Sequence, residues 1–216
     1  MRFAIGIPTI NRLDLLQDSL PKYLVDFKDV EIHIIDNGKQ NIHQNLPILR
    51  EYSNVFVYQE DYNLGVAGSW NKLCNIIFEK YENALLINDD VYLGYSTEVV
   101  EKSIDKTKVG IVQSDFNWSV LLINRDLYEF IGDFDEDFYP AYFEDSDYIY
   151  RVKLKGLLHE IDYTLSPKTK RSFGSTEMDK DLNKNFQRNR ARYIKKWGNS
   201  PLLETFIKPF NKWKEY

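Results

Sequence analysis

Three places in this chain put oxygen-bearing side chains where an apolar run stops. The run Ala84-Leu85-Leu86-Ile87 ends in Asn88-Asp89-Asp90, and the run Val30 to Ile35 ends in Asp36-Asn37-Gly38. Adjacent carboxylates at the end of a buried strand can hold a hard divalent cation through oxygen, and that cation can in turn hold a diphosphate. The plainer alternative is that Asp89 and Asp90 cap a helix and that Asp36 opens an Asn-Gly turn. The third place is Gly132-Asp133-Phe134-Asp135-Glu136-Asp137-Phe138-Tyr139-Pro140-Ala141-Tyr142-Phe143-Glu144-Asp145-Ser146-Asp147, where aromatics interleave with acids. Such a stretch is too charged for a core element and too aromatic for a disordered tail, so it reads as one wall of a site. A helix amino end, which favours negative charge, would account for Glu144, Asp145 and Asp147 without any site.

The elements that must position these groups follow from hydrophobic period. Phe3 to Pro8 reads as a strand, Thr9-Ile10-Asn11-Arg12 as a polar turn, and Leu13, Leu15, Leu16 and Leu20 begin a helical spacing. Strands at Val30 to Ile35, Val55 to Tyr58, Ala84 to Ile87 and Val109 to Gln113 alternate with helices at Ile42 to Tyr52, from the Asn63-Leu64-Gly65-Val66-Ala67-Gly68 loop to about Tyr81, and at Thr97 to Asp105. A strand at Ser119 to Asn124, short helices at Arg125 to Ile131 and Tyr148 to Lys155, a strand at Leu157 to Tyr163 and a long basic helix at Leu182 to Trp197 complete the chain. The alternation predicts an α/β fold: a mostly parallel central sheet with helices on both faces, plus a C-terminal helical extension. The continuous apolar run before Asn88 suits an interior strand covered on both sides, and ligands of open α/β sheets bind at the carboxyl ends of the strands. Domain boundaries are expected at 1–163 for the ligand-binding body and 164–216 for the extension, packed on the same domain.

Composition narrows the class of protein. With 216 residues and 43% hydrophobic content the chain can bury one substantial core. The opening residues are too short and too soon broken by Pro8 for a signal peptide, and no apolar run reaches membrane-spanning length. The expected location is therefore cytoplasmic, with peripheral contact to a membrane left open. The one cysteine, Cys74, excludes an internal disulfide and reads as packing. The net charge of -5 argues against nucleic acid as a partner, but it averages two unlike parts. Residues 1–163 carry 15 basic and 28 acidic side chains, and residues 164–216 carry 13 basic and 5 acidic, so the body is -13 and the tail +8. A basic tail on an acidic body suggests a phosphate ligand, an anionic membrane surface, or docking of the tail on the body. The loop before the third helix lacks the G-x-G-x-x-G spacing of a dinucleotide fold.

Taken in order, these segments resemble the family 2 type of glycosyltransferase, with the nucleotide-diphospho-sugar transferase (GT-A) fold. Pro8-Thr9-Ile10-Asn11-Arg12 resembles that family's opening Pro-Thr-x-Asn-Arg, and Ile35-Asp36-Asn37-Gly38 its Val-Asp-Asn-Gly segment, both of which line the uracil pocket there. Asn63-x-Gly65-x-Ala67-Gly68-x-x-Asn71 resembles the loop and helix start beside the donor. Asn88-Asp89-Asp90 stands where the family has its Asp-x-Asp metal motif, and the block from Gly132 through Glu144-Asp145-x-Asp147-x-x-x-Arg151 resembles the acceptor side with its catalytic acid. Tyr193-Ile194-Lys195-Lys196-Trp197-Gly198 echoes a segment that ends many members. The matches span roughly residues 3–160. Two features depart from the pattern: Asn88 replaces the first acid of the metal motif, and Lys168 to Thr176 lacks the histidine that many relatives use as a ligand. His159 lies earlier and reads as a core or edge residue.

The resemblance implies a donor UDP-sugar, a glycan or glycolipid acceptor, and Mn or Mg held by Asp90 with Asp89 nearby. It implies Asp145 as the base, with Glu144 and Asp147 as rivals, and places Pro8, Thr9, Asn11, Arg12, Asp36, Asn63, Gly65, Asn71, Asn88 and Asp89 around the nucleotide. Arg171 would add charge on the diphosphate in place of the missing histidine-bound metal. Among the aromatics, Trp70, Trp118, Phe138, Tyr139, Tyr142 and Phe143 are candidates to stack on a sugar. A sugar nucleotidyltransferase would share the acid logic but needs a Gly-rich basic loop after the first strand. A non-catalytic glycan-binding module would need neither Asp90 nor Asp145.

Overall fold

A computed structural model describes residues 3–114, 117–160 and 181–211. The strands are β1 (Phe3–Thr9), β2 (Ile32–Asp36), β3 (Val55–Gln59), β4 (Asn83–Ile87), β5 (Val109–Ser114), β6 (Asn117–Asn124) and β7 (Leu158–Glu160). They form one sheet in the order β3-β2-β1-β4-β6-β5-β7. Only β6 runs against its neighbours; every other pairing is parallel. The helices are α1 (Leu13–Asp26), α2 (Ile42–Asn45), α3 (Gly65–Phe78), α4 (Thr97–Lys102), α5 (Arg125–Ile131), α6 (Glu144–Leu154) and α7 (Leu182–Trp197). Among the described residues, no helix is long and apolar enough to cross a membrane.

The alternation of side chains along the central strands explains their unbroken apolar runs. Phe3, Ile5 and Ile7 of β1 and Leu85 and Ile87 of β4 pack with Leu16, Leu20, Tyr23 and Leu24 of α1 on one face. Ala4 of β1 and Ala84 and Leu86 of β4 meet Trp70, Leu73, Cys74 and Ile77 of α3 on the other, with Tyr128 of α5 and Tyr148 and Val152 of α6. Both faces are thus covered, and successive residues are buried on opposite sides. Cys74 is fully buried and its thiol is pushed up by desolvation, consistent with packing. His159 is exposed on the edge strand β7.

Two elements differ from the sequence expectation. The helix predicted over Ile42 to Tyr52 divides into α2 and a 3-10 turn at Pro47–Glu51. Pro47 has no N–H to continue the ladder and disfavours helical backbone at Leu46, so the chain breaks there. Helix α6 begins at Glu144 rather than Tyr148, because Phe143 takes a left-handed φ of 74° and turns the chain directly into the first helical turn. That turn therefore contains Glu144, Asp145 and Asp147.

Candidate active site at the strand ends

Strands β1, β2 and β4 are neighbours in the sheet and parallel, so Thr9, Asp36 and Ile87 end on one side of it. Pro8 is tolerated because the register of β1 with β4 stops at Gly6, leaving Pro8 paired only with β2. Thr9 is buried, and its carbonyl accepts the Asn37 N–H at 2.9 Å. Asn11 takes a left-handed φ of 53°, and its backbone lies so close to Gly38 that a Cβ there would fall 2.8 Å from the Asn11 nitrogen. The Asn-Gly pair thus serves as a turn and as a contact between the first two strand-end loops.

Asp36 is completely buried and shapes its own loop. Its carboxylate accepts the N–H groups of Gly38 at 3.0 Å and Gln40 at 2.7 Å, and the Gln40 amide at 3.2 Å. Asn37 ties this loop to α3: its amide donates to Ser69 Oγ at 2.8 Å, and its oxygen accepts the Leu64 N–H at 3.0 Å. Asn63 accepts the Gly65 N–H at 2.8 Å and so finishes the start of α3. Gly65 has φ 72°, and a Cβ there would meet the Pro140 carbonyl at 2.8 Å. The adjacent Val66 N–H donates to that carbonyl at 2.8 Å. One continuous set of contacts therefore runs from Asp36 through α3 to the loop that leads into Glu144 and Asp145.

Asn71, expected beside the donor, has its side-chain amide engaged within the protein. Its amide donates to the Phe134 carbonyl at 3.0 Å and Glu136 at 2.8 Å, while its oxygen accepts from Tyr128 at 3.0 Å and the Phe134 N–H at 2.8 Å. Four hydrogen bonds occupy the capacity of the amide, which makes Asn71 a clip between α3 and the acidic block.

Arg12 is buried and pairs with Asp14 through two 2.9 Å bonds. Its pKa is raised by the Asp14 hydrogen bond and further by the charges of Asp14, Asp89 and Asp90, so the arginine of the β1 loop lies in the field of the β4 acids. Asp89 is buried, and Asn88 and Asp90 are half-buried. Among the described residues, no three His, Cys, Asp or Glu side chains are placed to hold a metal ion together. Asn88, Asp89 and Asp90 offer hard oxygen donors, a set that suits Mg or Mn shared with substrate phosphates better than an ion caged by protein alone.

The three acids of α6 have separate environments. Asp147 is fully buried: Arg151 Nε donates to one oxygen at 3.0 Å, and Lys196 Nζ and Trp197 Nε1 each donate to the other at 2.7 Å. Lys196 also donates to Asp135 at 2.5 Å, and Arg151 bonds the carbonyls of Ile131 at 3.0 Å and Asp133 at 2.9 Å. Both oxygens of Asp147 are thereby engaged within the protein. Glu144 is buried with Oε2 unpartnered; desolvation, then the charges of Asp145 and Asp147, push its carboxyl well above the usual range. Asp145 remains partly exposed although protein crowds its carboxyl. Desolvation raises it, opposed by bonds from the Ser146 N–H at 2.7 Å and Ser146 Oγ at 3.3 Å. Among the described residues no hydrogen bond reaches Asp145 Oδ2, which suits an acid that accepts from a ligand.

Of the candidate stacking aromatics, Trp70, Phe138 and Phe143 are buried among core side chains. Tyr139 is exposed, and Tyr142 is half-buried with its ring edge-on to Phe186 at 5.5 Å. The Trp118 side chain, Arg171 and the whole segment 161–180 lie outside the described residues. Sequence reasoning passed over Asn189, whose buried amide donates to the carbonyls of Tyr139 at 3.3 Å, Ala141 at 2.8 Å and Tyr142 at 3.3 Å. It also left Lys196 and Trp197 without a role. The available signal was their spacing: Asn189, Tyr193, Lys196 and Trp197 lie on one face of α7, and all four are buried.

No protein-family model matches this chain, and no curated protein resembles it in sequence. Solved structures do. The mannosyltransferase PcManGT from Pyrobaculum calidifontis, in complex with GDP-Man and Mn2+, superposes with a TM-score of 0.66 over 93% of this chain and 66% of its own, at 14% identity. The chain has the nucleotide-diphospho-sugar transferase fold, of the GT-A type. S. aureus TarS in complex with UDP matches with a TM-score of 0.60 over 74% of this chain and 58% of that one, at 16% identity. The galactosyltransferase LgtC, with donor and acceptor sugar analogs, matches at 0.50 over 74% and 73%, at 12% identity. The chain thus spans between 58% and 73% of the lengths of these GT-A structures.

Three stability outcomes follow from the geometry around α6 and α7. Lys196→Met leaves Asp135 and Asp147 buried without their shared cation, so urea unfolding should show a loss of about 3–5 kcal/mol. Arg192→Ala, which removes a more exposed 2.7 Å pair with Asp137, should cost under about 1 kcal/mol. For Glu144 the folded pKa lies above the unfolded value, so its protonated form contributes stability below the unfolded value, and this is lost as pH rises through the folded one. Glu144→Gln should match the parent in acid and exceed it increasingly toward alkaline pH; parallel urea midpoints across the range would contradict this.

Proposed function

We propose that this chain is a glycosyltransferase that moves a sugar from a UDP-sugar to a hydroxyl of a glycan or glycolipid, with inversion at the sugar carbon. The observation that carries the proposal is the contact path from Asp36 and Asn37, through the start of α3, to Pro140 and the acids of α6. It links nucleotide-side groups at the strand ends to an acceptor-side carboxylate across one rim. The binding of GDP-Man and Mn2+ by PcManGT and of UDP by TarS supports a nucleotide-sugar donor on this fold.

In this reading the nucleotide lies against Pro8, Thr9, Asn11 and the loop that Asp36 holds in shape, with Asn63 and Gly65 at its side. Arg12 carries positive charge beside the β4 acids, toward the diphosphate. Asn88, Asp89 and Asp90 would hold Mn or Mg, with Asp90 the principal ligand; when bound, the cation supplies positive charge to the departing diphosphate. Asp145 takes the proton of the acceptor hydroxyl as that oxygen attacks the anomeric carbon, and the electron pair of the breaking bond leaves with UDP. Attack from the face opposite the diphosphate inverts the carbon. The crowded position of Asp145, which raises its pKa, makes it a stronger base than a solvated aspartate.

Calorimetry and turnover assays test this together. UDP should bind more tightly with Mn than with EDTA, and Asp90→Ala should erase the difference. Asp145→Asn should lower turnover by about 10²–10⁴ while UDP affinity stays within about threefold of the parent. Retention of most of the rate in Asp145→Asn would remove it as the base, and equal UDP affinity with and without Mn would remove the cation. The acid limb of the turnover profile should lie above the ordinary aspartate range and vanish in Asp145→Asn.

A further inference from the structure

The segment that follows α7 is anchored closely yet presents bare hydrocarbon. Leu202, Leu203, Phe206 and Ile207 are 80%, 64%, 51% and 68% exposed, four large apolar side chains within six positions. Phe130 adds a further apolar ring at 58% exposure. The segment itself is fixed. The N–H groups of Thr205 and Phe206 each donate to the Trp197 carbonyl at 3.0 Å, Tyr150 donates to the Phe206 carbonyl at 2.9 Å, and Tyr193 donates to Glu204 at 2.5 Å. The same Trp197 donates its indole N–H to Asp147, so the backbone of the ridge is tied to the buried charge cluster. A chain held this firmly could turn its leucines inward; instead Leu202 adopts a left-handed φ of 72° and stays in solvent.

We propose that this ridge docks the chain on a lipid bilayer bearing anionic headgroups. Side chains exposed to this degree project rather than line a groove, and a headgroup layer can receive projecting apolar groups without a matching surface. The charge around them has the required sign. Lys208 adjoins the ridge and is exposed, and Lys155 Nζ lies 4.5 Å from the Phe210 ring centroid and 5.3 Å from that of Phe130. Glu204, the acid within the segment, is engaged by Tyr193. Among the described residues, 181–211 carry seven basic and two acidic side chains, so an anionic surface attracts the segment that bears the ridge. The inference is independent of the catalytic proposal.

Vesicle flotation with the full chain tests it, using phosphatidylcholine vesicles with and without phosphatidylglycerol. The parent should float with the phosphatidylglycerol-containing vesicles, less with phosphatidylcholine alone, and less as salt is raised. Leu202→Ser with Ile207→Ser should lower the bound-to-free ratio about tenfold or more, while leaving thermal unfolding in solution unchanged. Lys208→Glu, with the apolar ridge intact, should weaken binding to the anionic vesicles alone. Absence of flotation by the parent, or flotation unaffected by the double substitution, would overturn the proposal. So would a concentration-dependent dimer that the double substitution dissolves, which would assign the ridge to a contact between copies.

Discussion

Four charges in the interior constrain the whole half of this protein that carries α6 and α7. Asp135, Asp147, Arg151 and Lys196 are all buried, and none is tolerable there without the others. Two carboxylates and two cations balance, and Trp197 and the backbone carbonyls of residues 131 and 133 satisfy further hydrogen-bonding capacity. A network of this kind is a weak source of net stability compared with a hydrocarbon core of equal volume. Its consequence is positional: α7 can close on α6 only in the register that brings Lys196 to both Asp135 and Asp147. Because Asp147 lies in the first turn of α6, fixing it fixes Glu144 and Asp145 on the same turn.

The strand-end half is organised differently, by short polar side chains that replace missing backbone partners. Asp36 gathers the N–H groups of its own loop, Asn37 ties that loop to Leu64 and Ser69, and Asn63 completes the start of α3. The two halves meet where Gly65 and Val66 approach Pro140. A side chain at position 65 would push the loop at Tyr139 and Pro140 away from α3, so the glycine is required both by its backbone angle and by the closeness of the two loops. Asn71 and Asn189 repeat the device on either side of the acidic block, one from α3 and one from α7.

Most of the fold was legible because period and punctuation agree in this chain. The runs before Asn88 and before Asp36 become β4 and β2, and the helix predicted at Arg125 to Ile131 has those bounds in the structure. What could not be read was direction and partnership. Nothing local distinguishes β6, the one reversed strand, from its parallel neighbours, since an interior strand is apolar whichever way it runs. Likewise the acids at 135, 145 and 147 are alike in sequence, and only the arrival of Lys196 some fifty residues later separates the paired ones from the open one. The basic tail was ambiguous for the same reason. Lys196 and Arg192 dock on the body, one buried and one near the surface, while Lys208 faces solvent.

The contrast between Glu144 and Asp145 shows how adjacent acids on one turn acquire different properties. Successive residues on a helix point about 100° apart, so one carboxyl turns into the protein and the next toward its rim. Glu144 finds no donor for Oε2 and is driven toward its neutral form, whereas Asp145 receives two bonds from Ser146 that favour the ionised one. Desolvation leads the upward shift at both acids, and at Glu144 the charges of Asp145 and Asp147 add to it. Burial and hydrogen bonding thus separate two neighbouring acids, and the ion network at Asp147 holds the turn in the orientation on which that division depends.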